Sequence, residues 1–182
     1  MAGRIAVVDA QNRFLRWTER ATIHAHRLPH RSVHVVVFDS KGRLVIQKRD
    51  RYKDTWPGHW DSSCAGHVEE SDYVAGPDER LDEVYHQVAL RELQEELGIT
   101  AELELLDRFA PQEGVHYEHL QLFRATSDGP YTIQDDEVEE VWAITPQELK
   151  VVIEAGLEPV TRMLRFLAVW LEASGHWPTA EG

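Results

Sequence analysis

Cysteine is almost absent: Cys64 is the only one in 182 residues. No intrachain disulfide framework can therefore staple the fold, and this usage predicts a reducing, cytoplasmic location. Long apolar runs are also missing. The best of them, such as residues 166–171, fall far short of the roughly 20 residues that cross a membrane, and the N-terminal segment has no extended apolar core of a secretory signal. Basic side chains are outnumbered, with 19 Lys and Arg against 32 Asp and Glu and a formal net charge of −13. Without a basic excess there is little to displace counterions from a phosphate backbone, which argues against a nucleic-acid polymer as partner. What is present suffices for a packed core. Hydrophobic residues make up 42% and there are six Trp, in a length that suits one domain.

The charges are unevenly placed. Residues 1–53 carry 12 basic and 4 acidic side chains, and residues 54–182 carry 7 basic and 28 acidic. Two solvated faces would account for this. So would a division of labour, in which cations meet an anionic substrate and carboxylates hold a metal.

Along the chain, residues 5–9 and 14–17 flank Ala10-Gln11-Asn12-Arg13 and predict an opening hairpin. A continuous apolar strand is expected over 33–38, then a turn at Asp39-Ser40-Lys41-Gly42 and an alternating strand over 43–48. Trp56-Pro57-Gly58-His59-Trp60 leads to a short strand near 61–65. Residues 69–83 are acidic, contain Gly76-Pro77 and read as a loop. A helix is expected over 81–97, ended by Gly98, and strands over 103–109, 120–125 and 138–144. Thr145-Pro146-Gln147-Glu148 combines an N-cap, a proline at the first helical position and a capping box, and Gly156 ends that helix. Val160, Met163, Leu164, Leu167 and Leu171 repeat at helical spacing and predict a last amphipathic helix. Mixed strands with helices between and after them predict a layered α/β domain.

The most informative segment is Glu83, seven residues, then Arg91-Glu92-Leu93-Gln94-Glu95-Glu96-Leu97-Gly98-Ile99. At 3.6 residues per turn, Glu92, Glu95 and Glu96 share a sector of roughly 100°, while Leu90, Leu93 and Leu97 occupy another. Three carboxylates on one face repel unless they are solvated or neutralised. A hard divalent cation, Mg²⁺ or Mn²⁺, suits oxygen-only ligation; a solvent-exposed glutamate-rich helix is the plain alternative.

This pattern resembles the Nudix box, Gly-x5-Glu-x7-Arg-Glu-(aliphatic)-x-Glu-Glu-x-Gly-(aliphatic), whose second half is matched at every specified position. The resemblance implies a Nudix-type α/β/α sandwich with a mixed β-sheet, one domain over 1–182. It implies that Glu92, Glu95 and Glu96 bind the catalytic metal, with Glu92 a candidate general base and Arg91 structural, paired with Glu83 or a neighbouring carboxylate. The first half departs from the pattern. Pro77 stands five residues before Glu83, while Gly66-His67-Val68-Glu69 looks like the true opening, followed by an insertion at about 73–82. The metal would then also take the Ala65 or Gly66 carbonyl, and Asp72 rivals Glu83 as the first carboxylate of the box.

Arg49, Lys53, Trp56-Pro57-Gly58-His59-Trp60-Asp61 and Gly66-His67 resemble the branch containing isopentenyl-diphosphate isomerases and their hydrolase relatives, from about residue 8 to 170. That likeness implies that Arg49 and Lys53 grip a diphosphate. It also implies a possible second metal, Zn²⁺ or Mn²⁺, at His30 and His67, with His24 one residue out of place, Glu118 in position, and His116 where the isomerases carry a second glutamate. Read from the residues alone, His24, His26, His30 and His34 would share a strand face, except that Pro29 interrupts, and they could equally be scattered polar groups.

The isomerases place a catalytic Cys directly before the Gly-His pair, where this chain has Ala65. Cys64 is one residue away, so on a strand its thiol turns to the opposite face and serves as a small buried hydrophobe. The expected activity is therefore Mg²⁺-dependent hydrolysis of a diphosphate linkage in a small, nucleoside diphosphate-type substrate, with one of the box glutamates or Glu118 taking a proton from water. Isopentenyl-diphosphate isomerase and a non-catalytic ligand sensor are the alternatives. Homodimers are frequent in this family.

Overall fold

The computed structural model describes residues 3–178. β1 (Arg4–Val8) and β2 (Phe14–Glu19) form the antiparallel opening hairpin. A short helix, α1 (Arg20–His26), follows and buries Ile23 against Ile5 and Val7. His24 and His26 are thus helical, not part of one strand with His30 and His34. β3 (His30–Phe38) is buried along all nine residues. It turns back through Gly42, at φ 72°, into β4 (Leu44–Arg49).

The single strand expected near 61–65 is two: β5 (Trp60–Asp61) and β6 (Cys64–His67). β3 and β4 pair only at Val37–Val45 and Phe38–Leu44, next to their turn. Beyond that they part, and β6 takes the edge of β3 while β5 takes the edge of β4. Ser63 sits at the fork. Its Oγ accepts the Val37 N–H at 2.7 Å and donates to the Val45 carbonyl, so both diverging strands keep a partner. The opening this fork leaves is where the functional side chains collect.

α2 (Leu81–Leu97) has the bounds its sequence predicts and ends at Gly98, at φ 66°. β7 (Glu104–Phe109) and β8 (Glu118–Thr126) are antiparallel, and β8 runs parallel to β3, which makes the sheet mixed. β9 (Val138–Ile144) pairs with the free edge of β4. Thr145 caps α3 (Pro146–Ala155) and closes the capping box with Glu148, and Thr161 caps α4 (Arg162–Ser174). Alternation along β3 sorts the core into two. Val33, Val35 and Val37 pack with Cys64 against Val88, Ala89 and Leu93 of α2. Val36 and Phe38 pack with Leu120 and Leu122 against Leu149, Leu164 and Leu167 of α3 and α4. The result is the α/β/α sandwich.

The 73–82 segment is tied down by one buried cation. Arg31 has no exposed surface. It donates to Asp78 at 2.7 Å, the Tyr73 hydroxyl at 3.1 Å, the Pro77 carbonyl, and Asn12 Oδ1 at 2.8 Å. A buried guanidinium needs such partners for all its donors, and in finding them it joins the segment to the hairpin turn. Among the described residues, no helix is long and apolar enough to cross a membrane.

Candidate active site

A cleft of about 350 Å³ opens at the β3–β4 fork, between the start of β3, the end of β4 and one face of α2. Helical spacing brings Glu92, Glu95 and Glu96 to it together, although not equally. Glu92 and Glu96 are 9% and 7% exposed, whereas half of the Glu95 side chain is open to solvent. Gly66 leaves the room that Glu92 occupies. A Cβ there would lie 2.1 Å from the Glu92 carboxyl, so only glycine lets α2 approach β6 this closely. Glu96 reaches under the sheet, where its Oε2 accepts the Gln47 Nε2–H at 2.8 Å and the Ala65 N–H at 3.3 Å.

Arg91 braces this face, bridging Glu92 at 2.8 Å, Glu95 at 3.1 Å and Asp72 at 3.3 Å. Its partner outside the helix is therefore Asp72, six residues after Gly66, and not Glu83, which pairs with Arg80 on the surface. Asp72 also accepts the Glu69 N–H at 2.8 Å, which fixes the short 3₁₀ turn Glu70–Asp72 against α2.

Of the second group of expected residues, His24, His67, His116 and Glu118 line the same cleft, while His30 is buried with its ring 4.9 Å from that of His67. His30 and His67 approach Glu118 so that one ligand atom from each lies within 4.8 Å of the other two. Adjacent parallel register puts His30 opposite Glu118, and antiparallel register puts Ser32 opposite His67. His30 Nδ1 is 2.8 Å from the Leu28 carbonyl, so it carries the ring proton. That leaves the Nε2 lone pair free, and Nε2 is buried without a hydrogen-bond partner, as is Nε2 of His116. His24, on α1, meets the His67 ring edge-on at 5.1 Å, and His116 Nδ1 lies 3.7 Å from Glu118.

The electrostatics run in opposite directions for acids and imidazoles. Burial pushes Glu92 up to about 7, against the pull of Arg91. Burial and the neighbouring Glu92 push Glu96 up to about 8, and burial pushes Glu118 up to about 7. Burial lowers His30 and His34 to about 4 and holds His67, His24 and His116 below the usual imidazole range. Crowded carboxylates short of positive charge, beside neutral imidazoles with unused lone pairs, are a donor set that fits divalent cations.

Arg49 and Lys53 also line the cleft, and each meets a carboxylate. Arg49 lies 3.5 Å from Asp61 and donates to the Thr55 carbonyl at 3.0 Å; Lys53 pairs with Glu137. Asp61 is buried and accepts the Ser62 N–H at 2.9 Å and the Thr161 hydroxyl at 2.8 Å. The sequence gives no separate signal for Gln47 or Asp61. Alternation around Leu44 and Ile46 does put Gln47 on the opposite face of β4, but only the packed α2 shows what waits there. Glu137, just before β9, lines the cleft. Cys64 is fully buried in the core under α2, and burial pushes its thiol up. Its neighbour Ala65 is the residue that lines the cleft, so the thiol that isomerase chemistry requires lies on the wrong side of the sheet.

A model of the NUDIX domain family matches residues 28–169. The chain is 32% identical over 174 residues to the uncharacterized Nudix hydrolase YfcD of Salmonella typhi, covering 92% of this chain and 84% of that protein. It is 35% identical over 170 residues to the uncharacterized Nudix hydrolase PA4841 of Pseudomonas aeruginosa, covering 93% and 94% of the two. Among solved structures, DR0079 of Deinococcus radiodurans shares the fold, with a TM-score of 0.73 at 23% identity over 91% of this chain and 96% of that one.

Proposed function

The chain belongs to the NUDIX domain family, and from that membership we propose that it hydrolyses a diphosphate linkage in a small phosphorylated substrate, using divalent cations. One observation carries this reading: Glu92, Glu95 and Glu96, the cations Arg49 and Lys53, and His67 and Glu118 of the cluster completed by the buried His30 all line one cleft. Mg²⁺ or Mn²⁺ at Glu92, Glu95, Glu96 and the Ala65 or Gly66 carbonyl, with a second cation at His30, His67 and Glu118 flanked by His24 and His116, would neutralise phosphoryl charge and acidify a bound water.

The chain's own residues supply the rest. Gln47 and the Ala65 N–H orient the Glu96 carboxylate, and Arg91, braced by Asp72, sets the spacing of Glu92 and Glu95. Glu92 and Glu118 sit near neutrality, where a carboxylate can both take and return a proton, and they are the candidate bases. Arg49 and Lys53 exchange Asp61 and Glu137 for phosphate oxygens as substrate enters, a swap of like partners that costs less than desolvating a free cation.

A screen of phosphate release over diphosphate compounds, with and without Mg²⁺, tests the proposal. Glu96→Gln is expected to lower turnover by about 100-fold or more while the chain remains folded. Wild-type turnover in Glu96→Gln would overturn the reading. Ligand-induced thermal stabilisation with no product from any compound would replace it with a sensor.

A further inference from the structure

The loop between β4 and β5 holds a bulky side chain in an uncommon backbone conformation. Trp56 has φ 51°, in the left-handed region that costs a side chain with a Cβ and that glycine enters freely. The same loop does use glycine at its other left-handed position, Gly58, at φ 66°. Such strain persists where surrounding contacts over-determine it, and it gathers at ligand clamps.

The indole is not packed away. Trp56 is 41% exposed and lines the cleft that contains the carboxylates. Arg162, the first residue of α4, sets its guanidinium 5.6 Å from the ring centroid and donates to the Gly114 carbonyl at 3.3 Å. His59 meets the ring edge-on at 5.2 Å. Arg49 and Lys53 face carboxylates, whereas Arg162 faces a π-system, so its work here is to hold the ring in place.

We propose that Trp56, clamped by Arg162, is a stacking platform for a planar ring joined to the substrate's diphosphate. The proposal rests on the hydrolase reading only in seating the diphosphate in this cleft. An aromatic face accepts any heteroaromatic ring and carries no hydrogen-bond code. The platform therefore separates ring-bearing from ring-free diphosphates without choosing among rings, and Arg162 is a positioning residue for it.

Calorimetry in Mg²⁺ with two non-hydrolysable probes, α,β-methylene-ADP and methylene diphosphonate, reads this directly. Trp56→Leu is expected to weaken the ring-bearing probe about 10-fold or more and the ring-free probe less than about twofold. Trp56→Phe, which keeps a ring face, should hold the ring-bearing probe within about threefold. Arg162→Gln should reproduce the selective loss and Arg162→Lys restore part of it, which also reads the proposal should Trp56→Leu not fold. Tyr52→Leu, on the same loop and 86% exposed, should leave both affinities unchanged. Equal losses for both probes, or none, would overturn the platform while hydrolysis still stands. Absence of hydrolysis with the selective loss intact would remove the hydrolase reading and leave the platform.

Discussion

Glu92, Glu95 and Glu96 share a helix face, yet two of them are buried and one is half-exposed, and Gly66 on a neighbouring strand is what leaves room for Glu92. Gly66→Ala places a methyl group inside the Glu92 carboxyl. Either the side chain swings away or α2 lifts from β6. The expected result is a loss of about 1–3 kcal/mol from overpacking, measured by chemical denaturation, together with weaker Mg²⁺-dependent stabilisation. A variant as stable as wild type with unchanged Mg²⁺ response would show that the contact is slack. Cys64 gives the opposite expectation. Its thiol faces α2 in the core, so Cys64→Ala should cost about 1 kcal/mol in stability and leave turnover within about twofold. A large loss of turnover at unchanged stability would return the thiol to the chemistry. The side of the sheet on which this residue lies follows from sequence alone, because strand alternation is a local rule. It could not grade the three glutamates, because burial depends on how closely another element approaches.

At the scale of elements, α2 and α3 were legible to their ends. The C-termini of both and the start of α3 carry signals that act within one turn: Gly98 and Gly156 in left-handed conformation, and Thr145 capped reciprocally with Glu148; α2 starts after Arg80, at φ 51° and without a side-chain cap. α1 was not legible, since seven residues with a single buried side chain, Ile23, carry too little periodicity. Nor was the division of β5 from β6, where Ser63 serves two diverging strands at once. The 73–82 segment reads in the sequence as an insertion, but Arg31 makes it a strap between the hairpin and the start of α2. Arg31→Leu removes donors from Asp78, Tyr73, Pro77 and Asn12 together. It is expected to destabilise by about 3 kcal/mol or more and to raise proteolytic cleavage within 73–80. An intact segment under limited proteolysis would mean that the hairpin contact of Asp78 with the Phe14 N–H, at 2.9 Å, suffices by itself.

Over the whole molecule, the charge asymmetry of the chain becomes contact. Cations from the basic first 53 residues meet carboxylates from the acidic remainder: Arg4 with Glu70 at 2.6 Å, Arg31 with Asp78 at 2.7 Å, Arg49 with Asp61 at 3.5 Å, and Lys53 with Glu137. Among these cations, Arg49 and Lys53 remain within reach of substrate. The buried carboxylates of the cleft give a pH prediction. Glu92, Glu96 and Glu118 have folded values near 7, 8 and 7, above the ordinary 4.5, so in chelator the stability they contribute is full below about pH 4.5 and is lost as pH rises toward 8. His30 and His34 are lowered to about 4 from 6.5, and their contribution is lost as pH falls through that window. In the proposed function a divalent cation would replace the protons on the glutamates. Its stabilisation should therefore be larger at pH 8 than at pH 6, read as the difference in melting temperature between Mg²⁺ and chelator. An equal or reversed difference would disconnect these glutamates from cation binding.

Local chain features specify the elements other than α1 and the β5–β6 division, the carboxylate helix and the family, because periodicity, caps and a contiguous motif are written within a few turns of chain. Long-range packing sets the rest: that Arg91 leans on Asp72, that Gln47 holds Glu96, that His30, His67 and Glu118 meet, and that Trp56 lines the cleft against Arg162. Those pairs are separated by 19 to 106 residues in the chain. No local rule relates such positions; the forked strands and the close approach of α2 to Gly66 do.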